Sequence, residues 1–94
     1  MDMIWLDRAR REVIQIREYI AKDNPRAARQ AARRILESAE KLRTTPNIGR
    51  PGRLYGTRER VITGTPFIIL YRVRDGVIEI LRVIHGARRW PDSD

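Results

Sequence analysis

The sequence predicts an α+β fold: an N-terminal strand, a helical hairpin, then a three-stranded antiparallel meander, all in one domain over residues 1–94. Three observations predict it. Two stretches of helical periodicity meet at Asn24-Pro25, an N-cap residue followed by proline where a helix tolerates it. Asp75-Gly76 joins two apolar runs, and a two-residue Asp-Gly link is the leading type I′ hairpin signal. In the register that link sets, Arg72 opposes Glu79, a cross-strand pair of opposite charge.

Each element follows in turn. Met3-Ile4-Trp5-Leu6 is a short apolar run and reads as the first strand. Asp7 is the expected N-cap of a helix in which Ala9, Val13, Ile16 and Ile20 form one stripe. That helix ends near Lys22-Asp23. The second carries Ala28, Ala32, Ile35, Ala39 and Leu42 on one face, small enough for close approach to the first. Thr44-Thr45-Pro46 stops it, and Asn47 to Gly56 is a loop rich in Gly and Pro. Arg58 to Thr63, Phe67 to Arg74 and Val77 to His85 read as the remaining strands. An unbroken register then places 74 opposite 77, 72 opposite 79 and 68 opposite 83. It puts Ile68, Leu70, Leu81 and Val83 on one face of the hairpin. Phe67, Ile69, Tyr71, Val73, Ile78, Ile80 and Ile84 fall on the other, the better candidate for the helix-packed core.

Composition narrows the chemistry. Cysteine is absent, which excludes disulfides, thiolate zinc sites and a cysteine nucleophile. One histidine, His85, leaves little scope for an imidazole metal site, and no cofactor or metal is expected. There is no Gly-rich phosphate loop and no serine placed beside a base. The longest apolar run, Phe67 to Tyr71, is far below the roughly 20 residues that span a membrane. The N-terminus lacks a signal-peptide pattern, so a cytoplasmic protein is expected. Twenty Lys and Arg against twelve Asp and Glu give a net charge of +8, and only Lys22 and Lys41 of the twenty are not arginine. Such a chain seeks polyanions or acidic proteins. Arg50, Arg53, Arg58 and Arg60, with Arg88 and Arg89 after the last strand, could gather at one edge of the sheet. Trp90 beside them offers a stacking surface or an interface anchor. Glu59 and Glu79 lie next to or opposite arginines and are expected to be ion-paired.

The element order, the Asn24-Pro25 start and Gly49-Arg50-Pro51-Gly52-Arg53 resemble the RelE/ParE superfamily of bacterial toxins. So do Pro66-Phe67-Ile68-Ile69-Leu70-Tyr71-Arg72-Val73 and the ending Ile80-Leu81-Arg82-Val83-Ile84-His85-Gly86-Ala87-Arg88-Arg89-Trp90-Pro91. The resemblance implies the toxin half of a type II toxin–antitoxin pair, a hetero-oligomer with a cognate antitoxin. RelE-type members are ribosome-dependent mRNA endonucleases built on basic residues and a C-terminal tyrosine. Arg88 matches the arginine after the last strand, but Ile68 stands where a second arginine is expected, and the tyrosine has no counterpart. ParE-type members lack that set and inhibit DNA gyrase, and this chain looks closer to them. The resemblance thus implies target contacts at Arg88, Arg89, Trp90, Arg58 and Arg60. Its alternative is an atypical nuclease site of Arg88, Arg60 and His85 acting on mRNA at the ribosome. For the antitoxin, the exposed face of the hairpin offers Ile68, Leu70, Leu81 and Val83 with Arg72 at its margin.

Overall fold

The computed structural model describes residues 1–87. Its elements are β1 (Asp2–Trp5), α1 (Asp7–Ala21), α2 (Pro25–Lys41), β2 (Arg50–Pro51), β3 (Arg58–Val61), β4 (Phe67–Arg74) and β5 (Val77–His85). The strands form one mixed sheet in the order β1-β5-β4-β3-β2. The β3–β4–β5 meander is antiparallel, and β1 joins it parallel to β5. The helical hairpin packs on one face, so the order and layering match the expected α+β fold.

Local chemistry explains the boundaries. The Asn24 Oδ1 accepts from the Ala27 N–H at 3.1 Å, and Pro25 opens α2 as expected. Asp7 is not the cap of α1. Leu6 takes that position without a side-chain bond, and Asp7 lies in the first turn, where its charge still complements the helix dipole. Asp75 and Gly76 both have positive φ, 54° and 75°, the type I′ signature. Two smaller corrections concern the strands: β3 ends at Val61 rather than Thr63, and the loop contains β2, which pairs with β3.

The larger correction is register. From Arg74↔Val77 to Tyr71↔Ile80 the pairing runs as expected, and then it slips, with Leu70 opposite Arg82 and Ile68 opposite Ile84. Leu81 is the extra residue of a β-bulge. Unbroken alternation after Ile78 and Ile80 would carry Arg82 into the core under the helices. The slip puts Val83 there instead, with Ile69, Tyr71, Ile78, Ile80, Ile35 and Leu42. Val83 and Ile84 therefore exchange faces relative to the expectation. On the face away from the helices, Ile68, Leu70 and Ile84 form a second cluster with Leu81 packed against it. These three are only 4, 1 and 2 % exposed, so the expected open apolar patch is not present.

Candidate functional site

The loop between α2 and β3 is fixed from beneath by buried groups. Tyr71 in β4 accepts from the Gly49 N–H at 2.9 Å and donates to the Pro46 carbonyl at 2.7 Å. Arg58 donates to the Asn47 and Gly49 carbonyls at 3.2 and 2.8 Å. The carboxylate of Glu59, almost fully buried, accepts from the Arg53 N–H at 2.9 Å and pairs with the Arg50 and Arg53 guanidinium groups. One β3 residue thus neutralises part of the charge and shapes the loop at once. The Glu59 ion pairing matches the sequence expectation; the Tyr71 anchor was not foreseen, because its partners lie 22 and 25 residues away.

Two of the three candidate nuclease residues lie among the described ones, Arg60 on β3 and His85 on β5. Arg60 pairs in register with Ile69, whose β5 partner is Val83, and His85 lies two residues further along β5. Strand spacing of about 4.8 Å and a rise of about 3.4 Å per residue separate the two Cα atoms by roughly 12 Å. The fully buried Ile69 lies between them. The His85 ring meets Phe67 edge-on at 5.7 Å, and its Nδ1 accepts from the Ala87 N–H at 3.1 Å. His85 borders a cleft of about 340 Å³ with Gln15, Tyr19 and Phe67, and Arg60 does not line it. Arg88, Arg89 and Trp90 lie outside the described residues. Among the described residues no three His, Cys, Asp or Glu could hold a metal together.

On the far face of the sheet Glu79 receives Arg72 and, at 3.5 Å, Arg74. The hydrogen bond from Arg72 holds its carboxyl below the usual carboxylate range, opposed by partial burial and reinforced by the charges of Arg72 and Arg74. A further pair was not foreseen. Glu12 on α1 accepts from Arg82 Nη2 at 2.7 Å, from Arg82 Nε, and from the Val83 N–H at 3.0 Å. The signal existed: an arginine at a core position of an otherwise apolar strand calls for a bulge and a buried carboxylate.

The helical hairpin differs. Arg10, Arg11, Arg17, Arg26, Arg29 and Arg33 are all exposed and make no hydrogen bond or ion pair among the described residues. Between the helices Trp5, Arg10, Val13, Ile14 and Leu36 line a groove of about 350 Å³. Ile14 and Leu36 are 49 and 50 % exposed. Helical spacing puts Arg10 and Arg17 on the Ile14 stripe, and Arg29 and Arg33 on the Leu36 stripe. The same spacing places Glu18 and Glu40 on those stripes, so the apolar floor lies between mixed banks in which arginine predominates.

Residues 3–90 match the family model described as the ParE toxin of type II toxin–antitoxin systems, parDE. The chain belongs to the ParE toxin family. Two relatives extend the comparison of this ParE-family toxin. It is 44 % identical over 88 residues to Y4kP, a candidate toxin of Sinorhizobium fredii, covering 93 % of this chain and 90 % of that one. It is 34 % identical over 86 residues to toxin RelE2 of Caulobacter vibrioides, covering 92 and 96 %. A solved structure of the chromosomal ParDE TA system from P. aeruginosa contains a similar chain, with a TM-score of 0.82 and 27 % identity. The match covers 90 % of this toxin and 95 % of that chain. Among the described residues no helix is long and apolar enough to cross a membrane.

Proposed function

We propose that this type II toxin acts by binding and inhibiting DNA gyrase, without chemistry of its own, and that a cognate antitoxin neutralises it in the cytoplasm. The observation that carries the reading is the placement of the two described nuclease candidates, on strands that flank β4. The Cα atoms of Arg60 and His85 are roughly 12 Å apart, and His85 borders a cleft that Arg60 does not line. A general acid and base must both lie within hydrogen-bond reach of one reacting group. Arg58 is committed to loop carbonyls, which leaves Arg60, Arg88, Arg89 and Trp90 as the proposed target contacts.

The RelE2 relative favours one second reading, ribosome-dependent mRNA cleavage. A paired assay separates the two. Purified toxin is titrated into a gyrase supercoiling reaction and, in parallel, into a translation extract whose mRNA ends are mapped. Loss of supercoiling or trapped cleaved DNA, with mRNA intact, is expected. Codon-linked mRNA cuts with gyrase unaffected would replace the first reading with the second.

For the antitoxin we propose the groove between α1 and α2. Ile68, Leu70 and Ile84 are already buried, and Val83 faces the helices, so the far sheet face offers only Leu81 and Arg72 of the residues first expected. The groove has what that face lacks, exposed apolar side chains flanked by unpaired arginines. An amphipathic helix bearing Asp and Glu beside its apolar stripe fits it. The resemblance to a chain of a solved ParDE system supports such a partner.

A further inference from the structure

We propose that Leu54 and Tyr55 form a rigid docking finger that enters an apolar slot with a carboxylate rim on the toxin's target protein. The proposal rests on the gyrase-binding reading above and names the part of the toxin that makes the contact.

Exposed loop tips ordinarily carry small polar residues. This one carries a tyrosine that is 105 % exposed beside a leucine that is 42 % exposed. Neither side chain belongs to a core cluster of the described residues, yet the backbone beneath them is tightly held. The Thr57 N–H and hydroxyl both donate to the Leu54 carbonyl, at 3.2 and 2.6 Å, closing a turn over residues 54–57. Gly56 supplies the positive φ of 81° that the third position of a type II turn needs. Below the turn, the Gly52 N–H donates to the Thr57 carbonyl at 2.8 Å, and the Arg53 N–H is held by buried Glu59.

A fixed backbone under an exposed aromatic lowers the ordering cost of docking. Tyrosine also presents a large, stiff contact surface and is enriched where binding energy concentrates. The base of the finger sets the partner's charge. Arg50, Arg53, Arg58 and Arg60 surround it, with Glu59 as the only acidic residue in segment 47–63. An excess of positive charge around an apolar tip is complementary to a slot rimmed by Asp and Glu. Leu54 argues for a protein slot over a nucleobase, since an aliphatic side chain has no face on which a base can stack.

The test titrates wild-type toxin, Tyr55→Ser, Tyr55→Phe and Leu54→Ser against gyrase holoenzyme in the supercoiling reaction. Thermal melting of each variant, and binding of a labelled single-stranded oligonucleotide without gyrase, run beside it. Tyr55→Ser is expected to raise the half-inhibitory concentration about tenfold or more, as loss of an interface anchor does. Tyr55→Phe stays within about threefold, since the ring makes the contact. Melting temperatures remain at the wild-type value. Wild-type inhibition with an unchanged Tyr55→Ser would overturn the finger and leave the gyrase reading standing. A wild-type toxin without effect on gyrase would overturn both. If Tyr55→Ser weakens oligonucleotide binding by the same factor, the finger is a base-stacking device and the protein slot is wrong.

Discussion

Glu79 illustrates what a single side chain does in this fold. It lies between Arg72 and Arg74, on a strand pair whose turn residues already fix the local register. Its carboxyl titrates below the ordinary value of 4.5, chiefly because Arg72 hydrogen-bonds the charged form. A group with a depressed folded-state pKa adds stability above the unfolded pKa, and that contribution disappears as pH falls through the folded value. Glu79→Gln is therefore expected to melt below wild type at pH 7, with the gap closing as pH falls below the ordinary value of 4.5. Melting curves across that range check it. A gap constant with pH would mean that the ionised carboxylate adds nothing. The Arg72–Glu79 pairing was legible in the sequence because it depends only on a two-residue turn and strand alternation. Tyr55 was not legible, because an apolar residue within a Gly- and Pro-rich loop reads as loop until its exposure and the anchoring beneath it are known.

At the scale of elements, local signals carried and long-range ones did not. Asn24-Pro25 and Asp75-Gly76 act within four residues of themselves, so both the helix start and the hairpin turn could be read directly. The bulge at Leu81 depends on a contact 70 residues distant, between Arg82 and Glu12. That contact also explains why α1 sits where it does. β1 pairs with β5 only as far as Trp5↔Ile80, and the Leu6 N–H donates to the Ile80 carbonyl. Beyond that point Glu12 supplies the acceptor for the Val83 N–H. With both side chains largely buried, at 7 and 12 % exposure, truncating Glu12 removes its hydrogen bonds from Arg82 and the acceptor of the Val83 N–H. Glu12→Ala is expected to cost about 3 kcal/mol in urea denaturation, near the lower end for a buried pair. Loss of under about 0.5 kcal/mol would show that water replaces the carboxylate at no penalty. The candidate site follows the same division: its arginines and the ion pairing of Glu59 were visible in the sequence, but which arginines Glu59 binds was not. Glu59 binds two of them through the fold, and Arg58 turns inward to loop carbonyls.

Across the whole molecule the arginines differ in their partners. On the sheet side Arg50, Arg53, Arg72, Arg74 and Arg82 each meet a glutamate, whereas six arginines of the helical hairpin make no such bond among the described residues. Arg10, Arg17, Arg29 and Arg33 therefore contribute positive charge along the α1–α2 groove. This asymmetry separates what speeds the encounter with an acidic antitoxin helix from what holds it. Solvent-exposed arginine banks act over roughly a Debye length, about 10 Å at 0.1 M salt and about 3 Å at 1 M. The association rate is accordingly expected to fall by about tenfold or more between these salt concentrations. The apolar floor is not screened, so the dissociation rate is expected to change little. Leu36→Asp reverses the pattern. It places a carboxylate on the floor, shortens the lifetime of the complex and leaves the salt dependence of association in place. Stopped-flow mixing with a purified antitoxin measures both rates. A dissociation rate that climbs with salt as steeply as association falls would mean that the arginines hold the partner and the groove does not. Wild-type kinetics for Leu36→Asp would place the antitoxin elsewhere on the toxin.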